Sequence, residues 1–455
     1  MRVNRLTFDF LLKATGGKLN GRRRRITGVS VDSRTIKKGE VFFAIRGEVF
    51  DGHAFCKDAL KNGASCVVVE KDCGLKTGYI KVQNTLAALG HVARRWRQQF
   101  TMRCVAITGT SGKTTTRRIA AHLLKGQFAC CESMKNYNNL VGLPFAVLQI
   151  EEKTEIAIIE MAMNRRGEIK KLAQIADPDM GVITNVGRGH LEFLGSLGNV
   201  AAAKAELLQY LKQRDVAVLN ADDPYVMKIQ RKTKAAIITY GIDNKADFVA
   251  GSLRIGKRGS TFSVNGESGF YVPLIGKINI YNSLAAIAVS SLLGLGSKEM
   301  KRRLRTVRAE KFRMNRISIA GVILYDDSYN ANPDSMGAAI RIAAREEGKR
   351  RIACLGDMLE LGKQSPVFHR EVGRSLRQHG FDIVFLYGPL SRSIQKGFEN
   401  NGFSGKVFHF SDREKMIRKL VRTAKKGDIV LIKASHNNRF DFVADALIKS
   451  LKGRT

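Results

Sequence analysis

The chain predicts an α/β protein of three domains. Three observations carry that expectation. Its 455 residues exceed what one hydrophobic core usually serves. Short apolar runs alternate with amphipathic stretches from residue 101 onward, the pattern of a mainly parallel sheet covered on both faces. One stretch, Cys104–Leu124, reads CVAITGTSGKTTTRRIAAHLL, a strand, a glycine loop and a helix in direct succession.

The first unit is expected over 1–100. It holds VSVDSRTIKKGEVFFAIRGEVFDGHAF, β-type runs separated by glycine turns. A helix is expected over Cys56–Asn62, a buried strand at Cys66–Val69, and a second helix over Leu86–Arg97 leading into the glycine loop. The clusters Asp32-Ser33-Arg34 and Arg46-Gly47 carry donors suited to a phosphate or uracil, although turn chemistry accounts for either one singly.

The second unit is expected over 101–311, a mostly parallel sheet of P-loop ATPase type. Predicted strands are Cys104–Thr108, Ile156–Glu160, Gly181–Asn185, Asp215–Asn220 and Ala235–Tyr240, with a helix over Ala201–Leu211. Asp247–Pro273 reads as antiparallel hairpins, and helices are expected over Ile280–Leu293 and Lys298–Arg305. The third unit, 312–455, is expected to be Rossmann-like without a G-x-G-x-x-G. Its strands are Val322–Asp326, Arg351–Leu355, Ile383–Leu386 and Ile429–Lys433; its helices are Ser335–Arg345, Val367–His379 and Phe440–Leu451.

Composition narrows the class. Seventy-seven basic residues against 41 acidic ones leave a formal charge of +36. The excess is spread along the chain, as in Arg22–Arg25, Lys301–Arg303 and Lys349–Arg351, and reads mainly as solvated surface, with nucleic-acid or membrane association as the minority reading. The seven cysteines form no C-x-x-C pair, which argues against a zinc site or a disulfide framework. No apolar run approaches 18 residues and the N-terminal stretch lacks a signal-peptide core, so a cytoplasmic protein without membrane insertion is expected.

In open α/β sheets ligands gather at the carboxyl ends of strands, and the chemically informative residues fall there. Gly109 and Gly112 let backbone N–H groups turn inward, and the helix N-terminus adds positive potential. Lys113 suits the outer phosphates, and the hydroxyl of Thr114 or Thr115 suits magnesium. The loop is shorter than the usual G-x-x-x-x-G-K-[ST] pattern, with Ile107 at the first glycine position. Glu160 ends the strand IAIIE, either as a hard oxygen ligand or as a solvated carboxylate. His190 follows the strand GVITN, and a lone loop histidine is as readily structural. Lys204, in NVAAAKAELL, is a surface lysine or a partly buried amine. DDSYNANPDSM, from Asp326 to Met336, reads half as a turn and half as a compact polar site, with Ser335 able to cap the next helix.

Taken together, TGTSGKTTT, NYNNLVGLP, EMAMNRRGEI, ITNVGRGHLEFLGS, AKAELL, DDSYNANPDSM and GDMLELG resemble the Mur ligases, ATP-dependent amide-forming enzymes of peptidoglycan synthesis. The resemblance spans nearly the whole chain. It implies an N-terminal UDP-binding domain, ATP and Mg2+ as cofactors, and a monomer. Its closest branch implies D-alanyl-D-alanine and UDP-N-acetylmuramoyl-tripeptide as the joined substrates. Carried over by position, Gly109, Thr110, Ser111, Gly112, Lys113, Thr114 and Thr115 are the expected phosphate loop, with Asn282, Arg313 and Asp327 as further nucleotide contacts. Thr114, Glu160, His190 and Lys204 are the expected metal set, with Lys204 the lysine that the family carbamylates; Lys113, Lys204 and His190 are the expected catalytic groups. Ser33, Arg34, Arg46, Gly47, Asn136, Asn138, Asn139, Asn330, Asn332 and Ser435 are the expected substrate contacts. Two departures stand out: Ile278 replaces the histidine of H-N-x-x-N, and KASH replaces K-G-S-R, with Ala434 and His436 as the changed residues. The competing expectations are a sibling amide ligase, either another Mur-type enzyme adding the third amino acid or one of the folylpolyglutamate type, and a basic, nucleotide- or nucleic-acid-binding paralogue without activity.

Overall fold

The computed structural model describes residues 3, 6–47, 49–134, 136–399 and 405–453. Three sheets follow one another along the chain. The first runs, in spatial order, Lys18–Asn20, Tyr79–Lys81, Cys66–Val69, Glu40–Phe43 and Gly28–Ser30. Its last four strands are parallel, and Val29, Val41, Val68 and Ile80 are buried. The predicted helix before the glycine loop spans Thr85–Arg97, with Asn84 accepting from the Ala87 N–H as its N-cap. It bridges two units: Trp96 donates its indole N–H to the Ile150 carbonyl, and Arg97 donates to the Ala176 carbonyl.

The central sheet has nine strands. Six parallel strands lie in the order Cys130–Glu132, Ile156–Glu160, Arg103–Thr108, Met180–Ile183, Val216–Asn220 and Ala236–Gly241. Phe248–Ile255, Ser260–Val264 and Glu267–Val272 extend the same sheet, the last two by antiparallel pairing. The hairpins expected over Asp247–Pro273 are therefore a continuation of the parallel sheet. The strand Arg103–Thr108 is first in sequence but lies inside the sheet, because the chain goes to one side of it and then the other. That reversal places the loop after Thr108 at a topological switch point. The helices Lys113–Leu124 and Lys277–Leu292 pack together over it, burying Ile119, Leu123, Ile280 and Leu284.

The third sheet runs Asn315–Ile319, Val322–Asp326, Asp428–Lys433, Arg350–Gly356, Ile383–Tyr387 and Lys406–Phe410, all parallel except the first. Both edge strands were absent from the sequence reading. The helix expected from Ser335 begins at Pro333. Asn332 is the N-cap, and Ser335 returns the contact as the third residue of a capping box. The cap thus belongs to the asparagine because the proline occupies the first helical position, where no N–H is needed.

Candidate active site

The glycine loop Gly109–Gly112 is shaped by what surrounds it. Gly109 has φ +153°, and a Cβ there would stand 1.8 Å from Thr184 Oγ1. Gly112 has φ +84°, and its Cβ would stand 2.3 Å from Asn282 Oδ1. A Cβ at either position would collide with that side chain, and the positive φ disfavours any residue but glycine. The loop is pinned from the adjacent strand end: Asn185 Oδ1 accepts from the Ser111 N–H at 2.9 Å, and Thr184 Oγ1 donates to the Ser111 carbonyl at 2.7 Å. Asn185 closes the predicted strand GVITN, so its place at a carboxyl end was the available signal.

Lys113 opens the helix and folds back, donating to the Gly109 and Thr110 carbonyls at 2.8 and 3.2 Å. Burial lowers its pKa, an effect partly offset by Glu160. Thr114 donates its hydroxyl to Glu160 Oε2 at 2.8 Å and accepts from the Arg313 guanidinium at 2.9 Å. The neighbouring parallel strand sets this pairing, since Ile107 stands opposite Glu160 in register. Glu160 is buried; Asn138 donates to its Oε1 at 2.8 Å, and Arg117 Nε lies 3.7 Å from its Oε2. Lys113, Thr114, Glu160, Asn138 and Arg313 thus converge at one edge of the sheet.

Lys204 lies on the helix Leu197–Tyr210 and is only 2% exposed. Burial holds its pKa well below the usual lysine value, and the charge of Lys113 pushes the same way. His190 has φ +58°, and its Nδ1 lies 2.7 Å from Glu360 Oε2, which holds that carboxyl below the usual glutamate range. Glu360 sits in GDMLELG, so this contact joins the central and C-terminal sheets.

The C-terminal residues reach the same edge. Asn332 Nδ2 donates to Ser111 Oγ at 3.2 Å. Arg313 stacks on Tyr329 at 4.0 Å, and the His436 ring lies 5.2 Å from the same tyrosine. Lys433 is buried and pairs with Asp327 at 2.5 Å while donating to the Asn330 carbonyl at 2.8 Å. Ser435 accepts from the Leu359 N–H at 2.9 Å. Ala434 is buried against Gly356, where an added Cβ would stand 2.8 Å from the alanine methyl.

The remaining candidates lie elsewhere or act locally. Ser33, Arg34, Arg46 and Gly47 follow the adjacent parallel strands Gly28–Ser30 and Glu40–Phe43, so their clusters share the carboxyl edge of the first sheet. Arg34 is held by Asp32 at 2.8 Å. Asn282 is buried beneath Gly112 and accepts from Thr116 Oγ1 at 3.3 Å. Asn139 accepts from the Gly142 N–H at 2.8 Å, and the Asn136 carbonyl accepts from the Asn138 N–H, so these two shape the loop that presents Asn138.

Comparison with known proteins agrees with this architecture. Residues 107–290 match the Mur ligase middle domain, 312–436 the Mur ligase glutamate ligase domain, and 25–97 the Mur ligase family catalytic domain. The chain belongs to the Mur ligase family. Among its relatives is the UDP-N-acetylmuramoyl-tripeptide–D-alanyl-D-alanine ligase of Bacillus subtilis (strain 168), 33% identical over 93% of this chain and 94% of that protein. The crystal structure of MurF from Acinetobacter baumannii superposes with a TM-score of 0.90 at 26% identity, covering 99% of this chain and 100% of that one. MurF ligase from Thermotoga maritima in complex with ADP superposes with a TM-score of 0.83 at 30% identity, covering 95% and 99%.

Proposed function

We infer that the protein is an ATP-dependent ligase that joins D-alanyl-D-alanine to UDP-N-acetylmuramoyl-tripeptide in peptidoglycan precursor synthesis. The observation that carries this reading is likeness to a ligase of that name over 93% of the chain. The convergence of Lys113, Thr114 and Glu160 at the switch point supports the ATP-dependent half of the reaction.

Amide formation between a free carboxylate and an amine is uphill in water, so the acid must be activated. ATP is taken by the loop Gly109–Thr115, whose N–H groups and helix N-terminus favour phosphate. Lys113 then exchanges the Gly109 and Thr110 carbonyls for the outer phosphates. The peptide's terminal carboxylate attacks the γ-phosphorus, ADP leaves, and an acyl phosphate forms. The amine of D-alanyl-D-alanine attacks the activated carbonyl, phosphate leaves, and the amine gives up its proton.

The Thr114 hydroxyl and Glu160 carboxylate form a hard-oxygen pair that suits magnesium, an ion that takes few protein ligands when nucleotide phosphates supply the others. Bound there, it supplies charge neutralisation on the transferring phosphoryl group. Burial pushes the Lys204 amine toward its neutral form, the form that could add carbon dioxide; Lys204 so modified, with His190, would be the residues to hold a second metal ion, which would add further charge neutralisation. Asn282, Arg313 and Asp327 are assigned to the nucleotide, and Ser33, Arg34, Arg46 and Gly47 to the uridine diphosphate. Asn136, Asn138 and Asn139 are assigned to the muramoyl peptide, and Asn330, Asn332 and Ser435 to the incoming dipeptide. The same reading places the enzyme in the cytoplasm as a monomer.

Phosphate release tests the proposal. It should require ATP, the UDP-muramoyl tripeptide and D-alanyl-D-alanine together, and Lys113→Ala should lower it at least about a thousandfold. Undiminished turnover by that variant, or equal turnover with a folate acceptor, overturns it.

A further inference from the structure

Two features are not used by the proposed reaction: the buried Lys433 and a stretch of left-handed backbone between two domains. Residues 305–314 connect the helix Ser297–Leu304 of the central unit to the strand Asn315–Ile319 of the C-terminal sheet. Within this connection Phe312 has φ +64° and Met314 has φ +51°. Neither is a glycine, and a side chain disfavours this region, so the surrounding structure has to hold both residues there. Arg313 stands between them. Its guanidinium donates to Thr114 Oγ1 at 2.9 Å, and its buried Nε makes no hydrogen bond among the described residues.

The motif DDSYNANPDSM does the holding. The Tyr329 N–H donates to the Phe312 carbonyl at 3.0 Å, and Asp327 Oδ1 accepts from the Met314 N–H at 3.0 Å. Both neighbours of Arg313 are thus tied to one loop, whose Tyr329 ring also carries the guanidinium. The loop is tied in turn to the strand Asp428–Lys433. The Asp327 N–H donates to the Ile432 carbonyl at 3.0 Å. Lys433, the last residue of that strand, donates its ammonium to Asp327 Oδ2 at 2.5 Å and to the Asn330 carbonyl at 2.8 Å. A charge buried this far is stable only when paired, so the ammonium fixes where the Asp327 carboxylate lies and leaves Oδ1 turned to Met314. We propose that Lys433 is a positioning residue. Through Asp327 and the Met314 N–H it sets the interdomain connection in the backbone conformation that aims Arg313 at the phosphate loop. The role of Arg313 toward ATP rests on the ligase reading above; the anchoring of Met314 by Lys433 does not.

A double-mutant cycle on binding of a non-hydrolysable ATP analogue to the full chain tests this. Arg313→Ala and Lys433→Met should each weaken binding at least about tenfold, the loss expected for a hydrogen bond to a charged group. The double variant should bind within about twofold of Arg313→Ala alone, because the two residues act along one path. Losses that multiply, as they would if Lys433 acted through direct contact of Asp327 with the nucleotide, overturn the proposal. Two substitutions test the same path and spare the ion pair. Met314→Gly should keep wild-type affinity, since glycine takes φ +51° freely, whereas the β-branched Met314→Val should weaken binding as Lys433→Met does. Equal affinity of the two Met314 variants overturns the proposal. Amide exchange reads the anchoring without nucleotide: the Met314 N–H should exchange at least about tenfold faster in Lys433→Met, with the central sheet unchanged. Unchanged exchange at Met314 overturns the proposal. Faster exchange in a protein that binds no ATP analogue supports the anchoring and overturns the ligase reading.

Discussion

Asp326 ends a strand in the C-terminal sheet, buried, with the Ser328 hydroxyl donating to its Oδ1 at 2.6 Å. Burial pushes its pKa up from 3.8 to about 6, against the pull of Ser328. A carboxyl raised on folding contributes stability that is complete below its unfolded pKa and is lost as pH climbs through the folded one. Asp326→Asn keeps the acceptor that Ser328 uses and removes the charge. It should therefore stabilise the protein at pH 8 by up to about 3 kcal/mol, from a shift of about two pKa units, and leave stability unchanged at pH 4. Denaturant titration at the two pH values measures this; a gain confined to pH 4 contradicts it. The motif DDSYNANPDSM drew attention to this residue through its position after a strand. What the motif did not reveal is that Asp326 points into the core while Asp327 faces Lys433.

Two helices of the C-terminal unit, Ser365–Gln378 and Arg392–Phe398, cross at paired glycines. A Cβ on Gly373 would stand 2.1 Å from the Ile394 carbonyl oxygen, and one on Gly397 would stand 2.1 Å from the Arg370 carbonyl oxygen. Alanine in a helix gains about 1 kcal/mol over glycine. Backbone atoms cannot yield as a side chain can, so overpacking outweighs that gain and Gly397→Ala should destabilise by about 1–3 kcal/mol. A lowered thermal midpoint checks this, whereas an unchanged one would falsify the close crossing. The longer helix was legible from its apolar spacing. The shorter one was not, because seven residues hold too few turns for a period. The edge strands Asn315–Ile319 and Lys406–Phe410 were missed for a related reason. Each faces solvent in part and lacks the continuous apolar run that marked Asp428–Lys433, buried throughout.

On the scale of the whole molecule, the C-terminal sheet is drawn onto the central one by a loop following the strand Met180–Ile183. Arg188 pairs with Asp334 at 2.8 Å and with Glu371 at 2.7 Å, and stands over Phe368 at 5.1 Å. The Glu192 N–H donates to the Glu360 carbonyl at 2.9 Å beside the His190 contact. Partly exposed ion pairs contribute about 1 kcal/mol each at most. Reversing the sign turns two attractions into two repulsions, so Arg188→Glu should loosen the closed arrangement. Small-angle scattering should show a larger radius of gyration than wild type, and KM for ATP should rise several-fold, because Asn332 and Arg313 would leave the phosphate loop. An unchanged scattering profile would show that Arg188 does not hold the units together.

The alternation of buried strands with amphipathic helices, the glycine loop and the placing of polar residues at strand ends were legible in the chain itself, while the short helix Arg392–Phe398 and the C-terminal edge strands were not. Each legible feature is a local pattern: an apolar run, a glycine that no side chain can replace, a polar residue where a strand stops. The partnerships were decided only by the tertiary structure. That Glu160 meets Thr114, that Asn282 closes over Gly112, that Lys204 is buried beside Lys113 and that His190 meets Glu360 all depend on which strands lie side by side and how two sheets are brought together. Contacts between residues tens to hundreds of positions apart leave no periodicity in a single sequence, and burial, which pushes the pKa of Lys204 down, exists only once those contacts are made.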